Sequence, residues 1–408
     1  MSFPTLAAVP PPPTPLGPFS DSAVAWATWI TLMGFVGLIA LALFAAGPVA
    51  RRIGSDTLTP VTARLARAAV VLGVLAVPAV LTDLAHGASE SGGYDYAAAW
   101  NSLYDGSGTG LLSGLEVTLA LVGAVLVAPL AFRAVVGGRA RSWLLGIGLV
   151  AGAVALGTTK FPSEAPDDWG RTGFETLIWM AHLFGGATWI GGLAGLLLLA
   201  LPGGVPETVR GAFWSGAIRR FSVLAMSCVA AIVLSGLFLY WGHVDGPSQL
   251  FTTMYGRVLG VKILIFGTML LLGVFNQFWL HPRIEALRAG GDQRRLRTIL
   301  LRQFPALLAV ELLLGMTVLF VAPFLHGSAR NQAFQAEAAA HATSASAELP
   351  KIPAKQVSAS TWTWGTAETL LVIAAMAAGY RASGRVARRR TSAAAVTTSR
   401  EPDDLVGV

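Results

Sequence analysis

Residues 173–201 read GFETLIWMAHLFGGATWIGGLAGLLLLAL. At about 1.5 Å per residue, this stretch is long enough to cross the roughly 30 Å hydrocarbon core of a bilayer as one helix. It also carries an imidazole, His182, near its middle. Ionisable side chains are costly at that depth and persist where they pair, line a cavity or handle an ion. The stretch therefore predicts a transmembrane helix and places the functional site beside His182.

Several polar and aromatic side chains of this stretch share one helix face. Successive spacings of four, three, four and three residues are typical of a packed helical seam. The residues on this stripe are Glu175, Trp179, His182, Gly186 and Trp189. We therefore expect the stripe to face protein rather than lipid.

The composition extends the membrane interpretation to the whole chain. Of 408 residues, 54% are hydrophobic and 12% are charged, whereas soluble domains are about 25% charged. The apolar residues fall into runs of membrane-spanning length, centred near Gly34, Gly73, Leu121, Val150, Leu183, Ala231, Thr268, Leu312 and Ile373. We predict an all-α fold, a polytopic transmembrane helix bundle of about nine spans.

Basic residues predict the orientation of this bundle. Lys and Arg concentrate in alternate connections and in the C-terminal tail, and such residues stay on the cytoplasmic side. The N-terminus is therefore expected outside and the C-terminus inside. Because topology explains the net charge of +7, and no extended basic face is present, nucleic acid is not an expected partner.

The chain is expected to divide into segments of different composition. They are a disordered Pro-rich N-terminus (1–22), the first four transmembrane helices (23–160), a four-helix core (173–325), an outer mobile linker (326–361), a ninth transmembrane helix (362–381) and a basic cytoplasmic tail (382–408). The linker assignment depends on its Ala, Ser and Gln content and its weak apolar periodicity.

The outer connections are rich in acids, imidazoles and aromatic residues, among them Asp83, His86 and His243. Such groups raise the local concentration of cations. An equally weighted explanation is that outer loops only lack Lys and Arg.

Further polar residues lie inside the later spans. Lys262, Met269 and Asn276 recur every seven residues on one helix face, and Glu311 lies mid-way through the eighth span. Glu311 and Lys262 are candidates for a buried ion pair. Such a pair would either take part in the function or only hold two helices together. Glu175, Tyr255 and Arg257 lie near helix ends, where dipole complementation and an interfacial aromatic belt are alternatives to a functional role.

Thioethers and imidazoles are ligands that select Cu(I). His182 with Met180, together with the outer His86 and His243, are therefore candidate metal ligands, although core packing is an alternative for each. The single cysteine, Cys228, excludes an intramolecular disulfide framework and a CxxC site. No GxSxG or HExxH motif occurs, so enzymatic activity is not expected.

The run HLFGGATWIGGL from His182 to Leu193 resembles the His to Trp-x-Gly-Gly segment of the CopD/PcoD copper-resistance membrane proteins. Further motifs recur in that family's order, namely Arg220-Phe221-Ser222, Leu234-Ser235-Gly236, Tyr255-Gly256-Arg257 with Lys262, Asn276, and Glu311 with Gly315. The resemblance covers residues 173–325, and the four-helix core predicted there is therefore expected to be CopD-like.

The resemblance implies a multi-pass protein of the bacterial plasma (inner) membrane that transports or handles copper in resistance or homeostasis. Its expected partners are the lipid bilayer and a periplasmic CopC-like copper carrier. The resemblance also implies functional roles for Trp189, Tyr255, Lys262, Asn276 and Glu311. The motif glycines are expected to let helices approach closely; they are Gly185, Gly186, Gly191 and Gly192.

Two alternatives to transport stay open. The first is a haem-binding membrane electron carrier, which would need His86 or His243 to reach inward and join His182. The second is a non-transporting factor that delivers copper to a respiratory oxidase or assembles with it.

Overall fold

The computed structural model describes residues 19–89, 93–132, 138, 140–276, 303–325, 327–340, 359, 363–378 and 381. Within these ranges the regular structure is helical throughout, and eight helices are long and apolar enough to cross a membrane. They are α1 (Phe19–Ile53), α2 (Ser55–Gly87), α3 (Gly108–Ala131), α4 (Ala140–Lys160), α5 (Trp169–Ala200), α6 (Glu207–His243), α7 (Met254–Phe275) and α8 (Phe304–Val321). The chain is a multi-pass helical membrane protein, as predicted.

The eight helices coincide with the first eight predicted spans. The ninth corresponds to α10, Thr363–Ala378, an apolar helix shorter than the other eight. At about 1.5 Å per residue its described part is about 24 Å long. The first helix begins at Phe19, inside the segment expected to be disordered.

The prediction of a mobile linker is wrong for part of its length. Ala329–Ala340 forms a helix, α9. Its alanines are strong helix formers, and the Ser328 hydroxyl accepts a hydrogen bond from the Asn331 amide at 3.1 Å. The Gln332 side chain accepts a hydrogen bond from the Tyr255 amide at 2.9 Å, which attaches α9 to the start of α7.

Helix α1 is the most enclosed of the eight and packs on α2, α4, α5 and α8. Its closest approach is to α5, where a Cβ atom on Gly191 would lie 2.6 Å from the Cα of Gly37. Glycine at both positions therefore lets the two backbones touch, as in small-residue contacts between membrane helices.

The later helices surround the opposite side of α5. Helix α6 packs mainly on α5, and α7 packs mainly on α8. Helices α7 and α8 are antiparallel, because Tyr255 at the start of α7 packs near Leu325, just beyond the end of α8.

Candidate functional site

His182 lies against α6. Its Nδ1 atom is 2.9 Å from the Ser235 hydroxyl oxygen, and the ring packs beside Gly236, where an added Cβ would lie 3.6 Å from Cε1. Glycine at position 236 leaves room for the imidazole on α6. The stripe therefore faces protein at His182, as predicted.

The hydrogen bonds around Ser235 favour one tautomer of His182. The Ser235 hydroxyl donates its single proton to the carbonyl oxygen of Ala231, at 2.5 Å, with the Ile232 carbonyl oxygen at 3.2 Å. Since that proton is used, the hydroxyl accepts from the N–H group at Nδ1 of His182. The Nε2 atom then carries the lone pair, which is the form of histidine that binds a metal.

Two lysines and a tryptophan complete the surroundings of His182. The Trp179 ring meets the imidazole edge to face, with 6.3 Å between centroids, and Lys160 Nζ lies 4.4 Å from the Trp179 ring centre. Lys262 of α7 lies within electrostatic range of His182. Any cation bound at Nε2 would therefore have positively charged neighbours.

Met180 and His182 contact different helices, so no observed contact supports Met180 as a partner of His182. The Met180 sulfur packs towards α4, where a Cβ on Gly157 would lie 2.5 Å from it. His182 instead contacts α6 through Ser235. Residues two apart on a helix do not face each other, so one ion cannot contact both side chains from this backbone.

His86 and His243 make separate contacts. His86 Nε2 lies 2.6 Å from Asp21 Oδ1, and its Nδ1 lies 3.2 Å from the Gly93 carbonyl oxygen, so acceptors occupy both ring nitrogens. His243 donates from Nδ1 to the Leu239 carbonyl oxygen at 2.7 Å and stacks on Tyr255 with an interplanar angle of 6°. His243 therefore keeps a free Nε2 atom in this arrangement, whereas His86 does not.

No group of three or more His, Cys, Asp or Glu side chains within the described residues could hold a metal ion. The predicted ligands His182, His86 and His243 lie on different helices and contact different partners, so they do not form one centre.

Lys262 and Glu311 do not form the predicted pair. An added Cβ on Gly315 of α8 would lie 3.3 Å from Met269 Cε, which sets the register of the antiparallel helices. Glu311 is one turn before Gly315 and therefore lies beyond Met269, towards Asn276. Lys262 lies two turns on the other side of Met269, about 16 Å from the level of Glu311 along the axis.

The other motif side chains have structural contacts. Trp189 is buried and meets Phe266 of α7 edge to face, with 5.8 Å between ring centroids. Arg257 donates from Nε to the Phe251 carbonyl oxygen at 2.8 Å. Glu175 forms a half-exposed ion pair with Arg171, with 2.9 Å between Oε1 and Nε. Such surface pairs contribute little to stability.

Three of the four predicted packing glycines contact a neighbouring helix. An added Cβ would lie 2.3 Å from the Phe221 ring at Gly192, 2.6 Å from Gly37 at Gly191 and 3.2 Å from α6 at Gly185. At Gly186 the same atom would meet nothing within 4 Å among the described residues, so no observed contact supports the packing role predicted for Gly186.

Ser235 and Lys160 contribute to the site in ways that the sequence did not indicate. Ser235 belongs to a recognised motif, but only the packing of α5 on α6 brings its hydroxyl to His182. Lys160 ends α4, and its approach to Trp179 depends on how α4 meets α5. No periodicity within one helix could have indicated either contact.

The fold and this face of α5 define a multi-pass helical membrane protein with a polar site inside its bundle. Residues 215–325 match the family model described as copper resistance protein D, CopD. This region is therefore similar to the CopD family, as the resemblance of its motifs predicted. The match begins after α5, so His182 lies outside it.

Two curated bacterial proteins are similar to parts of the chain. Copper resistance protein D of Pseudomonas syringae pv. tomato is 31% identical over 169 residues, which are 40% of this chain and 54% of that protein. Copper transport protein CutJ of Bacillus subtilis (strain 168) is 36% identical over 96 residues, 23% of this chain and 17% of that protein. The chain thus spans about half of the first relative and a smaller part of the second. No solved structure matches significantly.

Proposed function

We propose that this protein transports or otherwise handles copper across the bacterial plasma membrane, with His182 as an intramembrane ligand for the ion. The supporting observation is the orientation of the imidazole: Ser235 accepts from Nδ1–H, which leaves the Nε2 lone pair for a metal. The match of residues 215–325 to the CopD family model and the names of the two relatives support copper as the cargo.

The surroundings of His182 suit a cargo that binds and leaves. Lys262 lies within electrostatic range of the ring, so a bound cation is held less tightly than it would be by an imidazole alone. Conduction requires binding that is strong enough for entry and weak enough for release. A site of this kind passes an ion on rather than storing it.

In this proposal the outer ends of α1 and α2 provide the entry. Asp21 and His86 form an ion pair there, beside a cavity of about 420 Å³ whose lining includes Ser20, Thr82 and Tyr94. Copper reaches this side on a CopC-like carrier. The motifs that the sequence contains include no phosphate-binding loop, so a concentration gradient or the membrane potential drives movement.

The test is copper accumulation in cells that produce the wild-type chain or the His182→Ala variant at equal membrane levels. We expect accumulation to fall to that of cells without the protein. Glu175→Gln is the matched control, because Glu175 lies on the same helix but makes only a surface ion pair. Unchanged accumulation in His182→Ala would remove His182 from the mechanism.

Flux of radioactive copper into proteoliposomes separates transport from delivery. A transporter gives time-dependent uptake that His182→Ala abolishes, whereas an assembly factor for an oxidase gives none. No observation favours the haem alternative, since the described histidines have separate hydrogen-bond partners.

A further inference from the structure

A carboxyl group lies in the apolar seam of α8. The buried residues of this helix recur at three- and four-residue intervals and are Phe304, Leu308, Glu311, Gly315 and Leu319. Glu311 is only 4% exposed. A carboxylate in such surroundings is costly unless a positive charge or hydrogen-bond donors compensate it.

Two acceptor oxygens near this position have no hydrogen-bond partner among the described residues. They are Oε1 of Glu311 and Oδ1 of Asn276, and both are fully shielded. Buried polar atoms in proteins are rarely left without partners, so each such atom requires an explanation. Two unpaired acceptors on packed helices call for a shared positive partner, either a proton or a bound cation.

The register of the two helices places these two residues within one helical turn of each other along the common axis. Met269 of α7 lies opposite Gly315 of α8, which places Glu311 about 6 Å and Asn276 about 10 Å beyond that level along the common axis. Side chains tilt towards the N-terminus of their own helix. Because the helices are antiparallel, Glu311 tilts towards Asn276, and Asn276 tilts towards Glu311.

A third donor lies at the edge of this space. Met269 is 1% exposed and packs against the α8 seam through its terminal methyl group. A carboxylate, an amide oxygen and a thioether offer lone pairs and no proton. One carboxylate neutralises one positive charge, so a monovalent ion leaves the site neutral in its apolar surroundings. Among monovalent ions, a thioether selects Cu(I).

We propose that Glu311 and Asn276, with Met269 beside them, form a second intramembrane site that binds a monovalent cation, Cu(I), on the side of Trp189 away from His182. The choice of copper rests on the proposed function, whereas the cation site rests on the unpaired oxygens.

An apolar layer separates this second site from His182. It contains Trp189 with Phe266, and Ile190 against Gly315. Along the axis the two sites lie about 18 Å apart, from the rise of eight residues from His182 to Ile190 and one further helical turn. The positive neighbours of His182 repel a cation, and the Glu311 carboxylate attracts one, so the two sites define a direction of movement inside the bundle.

The experiment is a Cu(I) titration of the purified full-length chain in detergent, under reducing conditions, against a chromophoric Cu(I) chelator. The variants are Glu311→Gln, which keeps the size of the side chain but removes its charge, and His182→Ala. Glu175→Gln is the control for loss of a carboxylate elsewhere. Asn276→Leu and Met269→Leu are further variants of similar size, and size-exclusion profiles report folding.

We expect the wild-type chain to bind two Cu(I) equivalents. Glu311→Gln should lose the equivalent at the second site and keep the one at His182, whereas His182→Ala should lose the equivalent at His182. Asn276→Leu and Met269→Leu should weaken the same equivalent at least tenfold. Equal stoichiometry and affinity in wild type and a folded Glu311→Gln variant would overturn the second site. If Glu311→Gln does not fold, the stoichiometry and affinity of Asn276→Leu are compared with those of wild type, and equal values would overturn the second site.

The remaining outcomes separate the two proposals. A single wild-type equivalent that disappears in His182→Ala would overturn the second site and leave the proposed function standing. No Cu(I) binding by wild type would contradict the proposed function. Repeating the titration in sodium and in choline buffers tests which cation the second site binds. If sodium competes for this site and no bound Cu(I) equivalent depends on Glu311, the assignment of Cu(I) is overturned.

Discussion

Replacement of Ser235 by alanine tests how the imidazole is prepared for copper. The substitution removes the acceptor of the Nδ1–H group of His182 and little else, because the hydroxyl otherwise bonds only carbonyls of its own helix. Alanine also fits the space that serine fills. The ring then loses the contact that fixes its orientation and tautomer.

The magnitude follows from the geometry. At 2.9 Å the contact between Nδ1 and the hydroxyl oxygen is a full hydrogen bond. An N–H group left unpaired in apolar surroundings costs about 1–3 kcal/mol. Loss of such a partner from a metal-binding histidine typically weakens affinity about 10–100-fold, or about 1.4–2.8 kcal/mol. We expect Ser235→Ala to weaken the His182 copper equivalent by that factor.

Competitive Cu(I) titration measures this change. The matched control is Ser227→Ala, because the Ser227 hydroxyl lies on the same helix and bonds only its own Val223 carbonyl oxygen, at 3.1 Å. The control should retain wild-type affinity. If Ser235→Ala binds copper as tightly as wild type while His182→Ala does not, the hydrogen bond has no part in preparing the ligand.

Three further changes have defined outcomes. Gly191→Ala places a methyl group 2.6 Å from the Gly37 Cα and should lower the free energy of unfolding by about 1–3 kcal/mol. Gly186→Ala is the control, because an added methyl group there meets nothing within 4 Å. Thermal melts in detergent compare the two variants, and equal melting temperatures would disprove the close contact. Lys262→Met removes a positive charge near His182 and should tighten copper binding while slowing its release from proteoliposomes; weaker binding would show that Lys262 supports the ion. Asp21→Asn removes the charge paired with His86 and should lower the initial rate of copper uptake a few-fold at low ionic strength; a deficit that persists at high salt would contradict an electrostatic cause.

The positions of the first eight spans could be predicted because each is a local property of the sequence. About 20 apolar residues bounded by polar ones must form a helix in lipid, where every backbone group needs a partner inside the segment. The ninth apolar run contains a helix whose described part is shorter than the other eight. Part of the Ala-rich segment after α8, which the sequence predicts to be a mobile linker, is also helical. Alanine content alone favoured helix there, but its attachment through Gln332 depends on Tyr255, 77 residues away.

The candidate site was predicted in part. The stripe on α5 indicated that His182 faces protein, since spacing along one helix defines its faces. The same geometry argues against Met180 as a partner of His182, because residues two apart point away from each other. The Lys262–Glu311 pair failed for another reason: it needed the register between two helices, which hydropathy does not contain.

The sequence alone determined that this chain forms a bundle of membrane-length helices, that part of it is similar to the CopD family, and that His182 lies within one of those helices. Only the tertiary structure decided that Ser235 holds its ring, that Lys160 and Lys262 lie nearby, and that Glu311 lies towards Asn276 rather than Lys262. The physical reason is that helix formation in lipid depends on residues a few positions apart. Contacts between helices depend instead on how whole helices rotate and slide against one another.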